Sequence, residues 1–146
     1  MPRMARAEVT VALGAWDALA HEATPIRHAV FVHEQGVPVE IEIDAWDPLS
    51  LHAIARDGGG RAIGTGRLLP DGHIGRMAVL RQARGAGAGT AILLALMDAA
   101  RRRGLREVVL NAQTHAVPFY RRLGFVAEGD VFDDAGIPHV TMRRAL

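Results

Sequence analysis

The sequence predicts a mixed α/β (α+β) domain, with a central sheet of about seven strands flanked by about four helices. Three observations lead there. Short alternating apolar segments, bounded by turn signals, occupy the start, middle and end of the chain. A glycine-rich run, Arg84 to Thr90, opens a stretch with an apolar face at helical spacing. No repeat, linker or low-complexity segment interrupts the 146 residues, so 1–146 reads as one domain.

Val9 to Leu13 alternates and reads as the first strand. Trp16 to Glu22 reads as a short helix. Thr24 and Pro25 then suit the N-cap and N1 positions of a second helix, with Ile26, Ala29, Val30 and His33 on one face through about Gln35. Gly36 to Pro48 reads as a loop with two prolines and an acidic cluster. Leu51 to Arg56 and Arg61 to Leu69 form a hairpin about the Asp57-Gly58-Gly59-Gly60 turn. Asp71-Gly72 turns the chain again into His73 to Leu80. Ala91 to Arg103 is a helix with Ile92, Leu93, Leu96, Met97 and Ala100 on its apolar face. Arg101, Arg102 and Arg103 suit its C-terminal dipole, and Gly104 ends it. Glu107 to Leu110 reads as a buried strand and His115 to Leu123 as the last helix. Strands to about Phe132 and from Pro138 to Arg143 complete the sheet.

Composition excludes several chemistries. The formal charge is +1, from 17 basic and 16 acidic residues, so no basic field advertises nucleic acid or an anionic membrane. There is no cysteine, hence no thiolate nucleophile and no Cys-based metal site. There is no lysine, which removes Schiff-base chemistry and a Walker lysine. Ser50 is the only serine and lies outside any G-x-S-x-G context. No H-E-x-x-H spacing exists, and no metal is expected. The uncharged stretch Gly85 to Met97 is too short to span a bilayer. Arg3, Arg6 and the apolar run Val9 to Trp16 have a leader-like outline, but Glu8 and Asp17 interrupt it. The expectation is a cytoplasmic protein.

The glycine run carries chemistry of its own. A strand, a glycine loop and a helix start together make an anion-binding arrangement, because free N–H groups at the helix N-terminus face the ligand. Arg84 to Gly89 offers no Ser, Asp or Asn cap. The spacing fits neither G-x-G-x-x-G nor a Walker loop. What stands there is Arg-x-x-Gly-x-Gly, at Arg84, Gly87 and Gly89. The same glycines would also permit close helix–sheet packing.

With this loop, and with Asn111 and Phe119-Tyr120-Arg121-Arg122-Leu123-Gly124-Phe125 after it, the chain resembles the GCN5-related N-acetyltransferases, the GNAT superfamily. It is similar within that superfamily to the bacterial ElaA/YjcF-like acetyltransferases. That likeness rests on Arg27 with Val30-Phe31-Val32-His33-Glu34-Gln35, Glu42-Ile43-Asp44-Ala45-Trp46-Asp47, His52, Asn111-Ala112-Gln113, Gly136-Ile137-Pro138-His139 and Met142. It runs from about residue 8 to the C-terminus. The resemblance implies an acetyl-CoA-dependent N-acetyltransferase, with acetyl-CoA as co-substrate. It implies cofactor binding by Met77, Ala78 and Val79 on a bulged strand, by Arg84, Gly85, Ala86, Gly87, Ala88, Gly89 and Thr90, and by Asn111 and Tyr120. Tyr120, the only tyrosine, becomes the general acid for the departing thiolate; a phenol near pKa 10 keeps its proton at neutral pH. Arg27, Glu34, Gln35, Asp44, Asp47, His52 and His139 are expected on the acceptor side, with Glu34 and Asp44 as leading candidates for the base. A small molecule, a peptide N-terminus and a lysine side chain all stay open as the amine acceptor, and the short, self-contained chain favours a small-molecule amine; family habit allows a homodimer, with no interface legible in the sequence. The rival reading is a GNAT-fold sensor that binds acyl-CoA without turnover.

Overall fold

The computed structural model describes residues 8–146; Arg3 and Arg6 of the leader-like stretch lie outside them. The elements run β1 (Thr10–Gly14), α1 (Trp16–Arg27), a π-helical segment (His28–Glu34), α2 (Val39–Glu42), β2 (Leu51–Arg56), β3 (Ala62–Leu68), β4 (Ile74–Val79), α3 (Ala88–Arg102), β5 (Glu107–Gln113), α4 (Val117–Arg122), β6 (Val126–Asp134) and β7 (Ile137–Ala145). This is the expected mixed architecture, with seven strands, but they fall into two sheets. One has the order β1-β2-β3-β4 and the other β5-β7-β6, with antiparallel neighbours throughout. Among the described residues, only a parallel bridge between His73 and Val109, with Val109 N–H donating to Gly72 O at 3.2 Å, joins the start of β4 to β5. Beyond that bridge the two strands diverge.

The first sheet is covered on both faces, which is why β2 reads apolar at consecutive positions. Ile54 faces Leu19 and Ala23 of α1, while Ala53 and Ala55 join the main core under α3. Ile92, Leu93, Leu96, Met97 and Ala100 are all buried, as the helical spacing requires. The helix lies close to β3. A Cβ on Gly66 would stand 2.7 Å from Met77 Sδ and 2.8 Å from Ile92 Cγ2.

Opposite Gly66, β4 carries an extra residue. The β3–β4 register passes from Thr65↔Ala78 to Arg67↔Gly75, so Arg76 and Met77 together oppose one residue. Arg76 sits in the left-handed region at φ 48. A bulge of this kind bends and twists its strand, and it marks where β4 turns away from β5.

Three expectations change. Pro25 does not start a new helix: α1 runs through it, and the chain then winds with the wider π spacing, Gln35 N–H donating to Val30 O at 3.0 Å. A proline lacks the N–H that an α-turn needs, and the wider π turn follows it directly. The segment 36–48 contains α2 and a short 3₁₀ turn, Asp47–Leu49, rather than loop alone. Finally, β5 continues to Gln113, because Asn111, Ala112 and Gln113 pair with Thr141, Val140 and His139.

Beside β4 lies a buried ion cluster. Arg27, 1% exposed, grips Asp47, 0% exposed, with Nη1–Oδ1 at 2.7 Å and Nη2–Oδ2 at 3.0 Å. Its Nε donates to Glu42 Oε1 at 2.6 Å and its Nη2 to Glu42 O at 2.8 Å. Arg67 bridges Asp47 Oδ1 (2.8 Å) and both oxygens of Asp44 (2.7 and 3.0 Å). His52 Nε2 meets Asp47 O at 2.9 Å, and Trp16 lies against both Arg27 and the His52 ring. Burial alone would push the Asp47 carboxyl up. The donors from Arg27, the Asp44 N–H and Arg67 outweigh it and hold the group at about 2.

Two predictions follow from this packing. A carboxyl held below its unfolded value stabilises the fold above about pH 4 and loses that contribution as pH falls through about 2; for Asp47 it amounts to about 2 kcal/mol. Asp47→Asn should therefore lower stability at pH 7 by about 3–5 kcal/mol and flatten the acid limb of the thermal-midpoint profile; a parallel acid limb contradicts the assignment. Gly66→Ala should destabilise by about 1–3 kcal/mol through overpacking against Met77 and Ile92, read by chemical denaturation.

Candidate active site

The divergence of β4 and β5 opens a cavity of about 760 Å³. Its walls come from β4 (Ile74 to Val79), β5 (Leu110, Asn111, Gln113), α4 (Phe119, Tyr120) and the π-helical segment (Val30, Phe31, Glu34). On the side facing the cavity, β4 has no strand partner past the His73 bridge among the described residues. An edge strand presents alternate N–H and C=O groups outward. Met77, Ala78 and Val79 thus offer main-chain donors and acceptors to a ligand lying along them.

At one end of this edge stands the glycine loop. Gly85 and Gly87 both adopt φ 87, a left-handed conformation that side-chain-bearing residues resist. Gly87 is the N-cap of α3 and supplies no capping side chain. The first intrahelical bond of this turn is Ala91 N–H to Gly87 O at 3.0 Å, so the N–H groups of Ala88, Gly89 and Thr90 have no helical acceptor. Ala88 is 2% exposed and can contribute only through its backbone. The uncapped helix start, the two left-handed glycines and the Arg84 guanidinium suit a pyrophosphate. Arg84 Nε donates to Val79 O at 3.1 Å, tying the loop to the end of the open β4 edge. Its two terminal nitrogens hold Glu34 Oε2 and Oε1, each at 2.8 Å. These bonds from Arg84 keep the Glu34 carboxyl below its ordinary range.

Tyr120 lines the cavity from α4. Its ring is seated edge-on between Phe119 and Phe125, with centroids 5.0 and 5.8 Å away. Burial pushes the phenol up to about 12, so it holds its proton across the physiological range. Asn111 faces the same space from β5 and accepts a hydrogen bond from Thr141 Oγ1 at 3.0 Å. Across the opening, Gln35 and Gln113 exchange amide hydrogen bonds of 3.2 and 2.9 Å, pinning the π-helical segment to β5.

The acceptor-side expectations divide. Glu34, Gln35 and His139 line the cavity. Arg27, Asp44, Asp47 and His52 do not; they form the ion cluster behind its wall. Arg27, Asp47 and His52 are each at most 1% exposed; the cluster takes up every side-chain polar atom of Arg27 and Asp47, and Nε2 of His52. The two expected bases also have other partners. Glu34 neutralises Arg84 and Arg81, and Asp44 neutralises Arg67 and Arg76. The cavity wall adds Arg67, Arg76 and Glu42, none of which the sequence marked as a site residue.

Residues 19–146 match the family model described as the acetyltransferase (GNAT) domain. The chain is 43% identical over 127 residues to the uncharacterized N-acetyltransferase YjcF of Bacillus subtilis (strain 168), spanning 84% of this chain and 90% of that one. Among solved structures it is similar to an acyl-CoA N-acyltransferase from Pseudomonas aeruginosa, with a TM-score of 0.81, 34% identity and coverage of 94% and 100% of the two chains. It is also similar to Escherichia coli ElaA, with a TM-score of 0.82, 26% identity and coverage of 92% and 99%. With the split sheet and its glycine loop already in place, these likenesses make the chain a member of the GNAT family of N-acyltransferases.

Proposed function

We propose that this protein transfers the acetyl group of acetyl-CoA to a primary amine of a small molecule, with both substrates bound together. The observation that carries the reading is the open β4 edge, which has an uncapped glycine loop at one end and Tyr120 across the cavity.

Arg84 and the N–H groups of Ala88, Gly89 and Thr90 would hold the pyrophosphate, with Gly85, Ala86 and Gly87 shaping the loop. Met77 to Val79 would pair with the pantetheine arm, and a free main-chain N–H there would polarise the thioester carbonyl. Asn111 would contact the arm from β5. Tyr120 would give its proton to the leaving sulfur. Direct transfer suits the residues present. The chain has no cysteine, and Ser50, its only serine, is buried with its hydroxyl on Trp46 O at 2.7 Å. Among the described residues, no serine, threonine, cysteine or lysine side chain lines the cavity. Holding amine and thioester in line then supplies most of the catalysis, worth about 7–11 kcal/mol in favourable cases.

Acetyl-CoA at a hundred times its Kd should add about 2.7 kcal/mol to stability, a rise in Tm of about 5–10 °C for a domain of this size. Free adenine nucleotides should give much less. No rise, in protein shown to be folded and free of carried-over CoA, would remove the cofactor assignment. Tyr120→Phe should lower kcat by about 10²–10⁴-fold while leaving the acetyl-CoA shift intact. Binding without turnover on any amine, with Tyr120→Phe silent, would instead indicate an acyl-CoA sensor.

A further inference from the structure

We infer that Glu42 is the seat of the acceptor's ammonium group, which makes a cationic amine the substrate class. The inference rests on the acyl-CoA reading above and extends it to the other substrate.

Glu42 is 1% exposed, yet it lines the cavity. Its two carboxylate oxygens have different surroundings. Oε1 takes the Arg27 Nε donor at 2.6 Å, while Oε2 has no hydrogen-bond partner among the described residues. Every other carboxylate oxygen of the cluster is satisfied. Asp47 Oδ1 accepts from Arg27 and Arg67, and Oδ2 from Arg27 and the Asp44 N–H. Asp44 Oδ1 accepts from Arg67 and the Trp46 N–H, and Oδ2 from Arg67 and Arg76. The single orphan oxygen of the cluster is therefore on the one cluster carboxylate whose residue lines the cavity, buried just behind its wall. A buried carboxylate oxygen without a donor is costly, and an arriving N–H⁺ removes that cost.

The position also suits the chemistry. Arg76, the residue of the β4 bulge, donates from Nε to Glu42 O at 3.0 Å. Glu42 is thus fixed to the segment that precedes Met77 and Ala78. Arg27, itself held by Asp47, fixes Glu42 Oε1 and so acts as a positioning residue. The cations facing Glu42 are Arg27, Arg67 and Arg76, and each is paired with Asp44, Asp47 or Glu42 Oε1. In the reaction the ammonium gives one proton to Oε2. The freed nitrogen lone pair forms the C–N bond to the acetyl carbon as the C–S bond breaks. The second nitrogen proton leaves with solvent, the sulfur takes the Tyr120 proton, and solvent restores both side chains. One net proton is released per turnover.

Arg67 Nε is a second orphan on the same wall. A water held between it and Glu42 Oε2 would satisfy both atoms and leave no seat for a cation. The test separates these cases without knowledge of the natural acceptor. S-(ω-aminoalkyl)-CoA thioethers of graded length are titrated into the full-length protein by calorimetry, beside S-alkyl-CoA thioethers of equal chain length. At the best length the ammonium-tipped thioether should bind about tenfold or more tightly than its neutral counterpart. In Glu42→Gln, which keeps an oxygen for Arg27, that preference should vanish. No preference in the wild type, or a preference that persists in Glu42→Gln, overturns the inference while leaving the acyl-CoA reading in place. Failure of every thioether to bind overturns both. Should the variant not fold, a crystal structure of the wild type with the best thioether decides. An ammonium nitrogen at about 3 Å from Glu42 Oε2 supports the seat, and one placed elsewhere refutes it.

Discussion

The molecule turns on a pairing that is begun and then broken. β4 and β5 meet at the His73–Val109 bridge and separate beyond it. The agent is the bulge opposite Gly66, where Arg76 takes a left-handed backbone at φ 48. That conformation costs about 1–3 kcal/mol for a residue with a side chain, and it persists only because its surroundings enforce it. Arg76 is held by Glu42 O and Asp44 Oδ2, and Gly66 leaves room for Met77 where any Cβ would collide. Without the bulge, β4 and β5 could close into a continuous sheet. The cavity and its unpaired main-chain edge would then disappear together.

The ion cluster stands behind this device. Taking Arg27 and Asp47 fully out of water is expensive, and a well-packed apolar substitute would often be no less stable. What the ions supply is direction. Arg27 connects the end of α1 to Glu42 of α2 and Asp47 of the 3₁₀ turn, and Arg67 connects β3 to Asp47 and to Asp44 between them. The end of α1, the stretch from Glu42 to Asp47 and β3, distant from one another in sequence, are thereby set at fixed distances beside the bulge. The Gln35–Gln113 exchange does the same across the opening, joining the π-helical segment to the second sheet. The cavity is framed on both sides by polar contacts that specify geometry.

Much of this was legible in residue order. The strand Leu51–Arg56 and the α3 apolar face follow from periodicity, and the glycine loop from its lack of a cap. Pro25 misleads because a proline inside a helix and a proline opening one look alike locally; the π winding that follows it is set by packing. The acidic and basic residues mislead for another reason. Arg27, Asp44, Asp47 and His52 read as groups reaching for a substrate, since charge usually lies at a surface. Whether a charge faces a ligand or an opposite charge depends on long-range pairing, such as Arg27 with Asp47, that no local pattern encodes. Glu42 was hidden likewise. Its distinction is one unpartnered oxygen, visible only once its neighbours are placed. The left-handed Arg76 carries no local signal at all, because a glycine would be the usual mark of such a backbone.

In the proposed complex the open β4 edge and the start of α3 hold an acyl-CoA. Amide hydrogen exchange of the full-length protein, with and without acetyl-CoA, tests it most directly. Protection should be gained at the outward-facing amides of Met77 to Val79 and at Ala88, Gly89 and Thr90. The amides within the β5–β7 and β2–β3 ladders should change little. Protection gained elsewhere, with these amides still exchanging freely in the presence of bound acetyl-CoA, would contradict it.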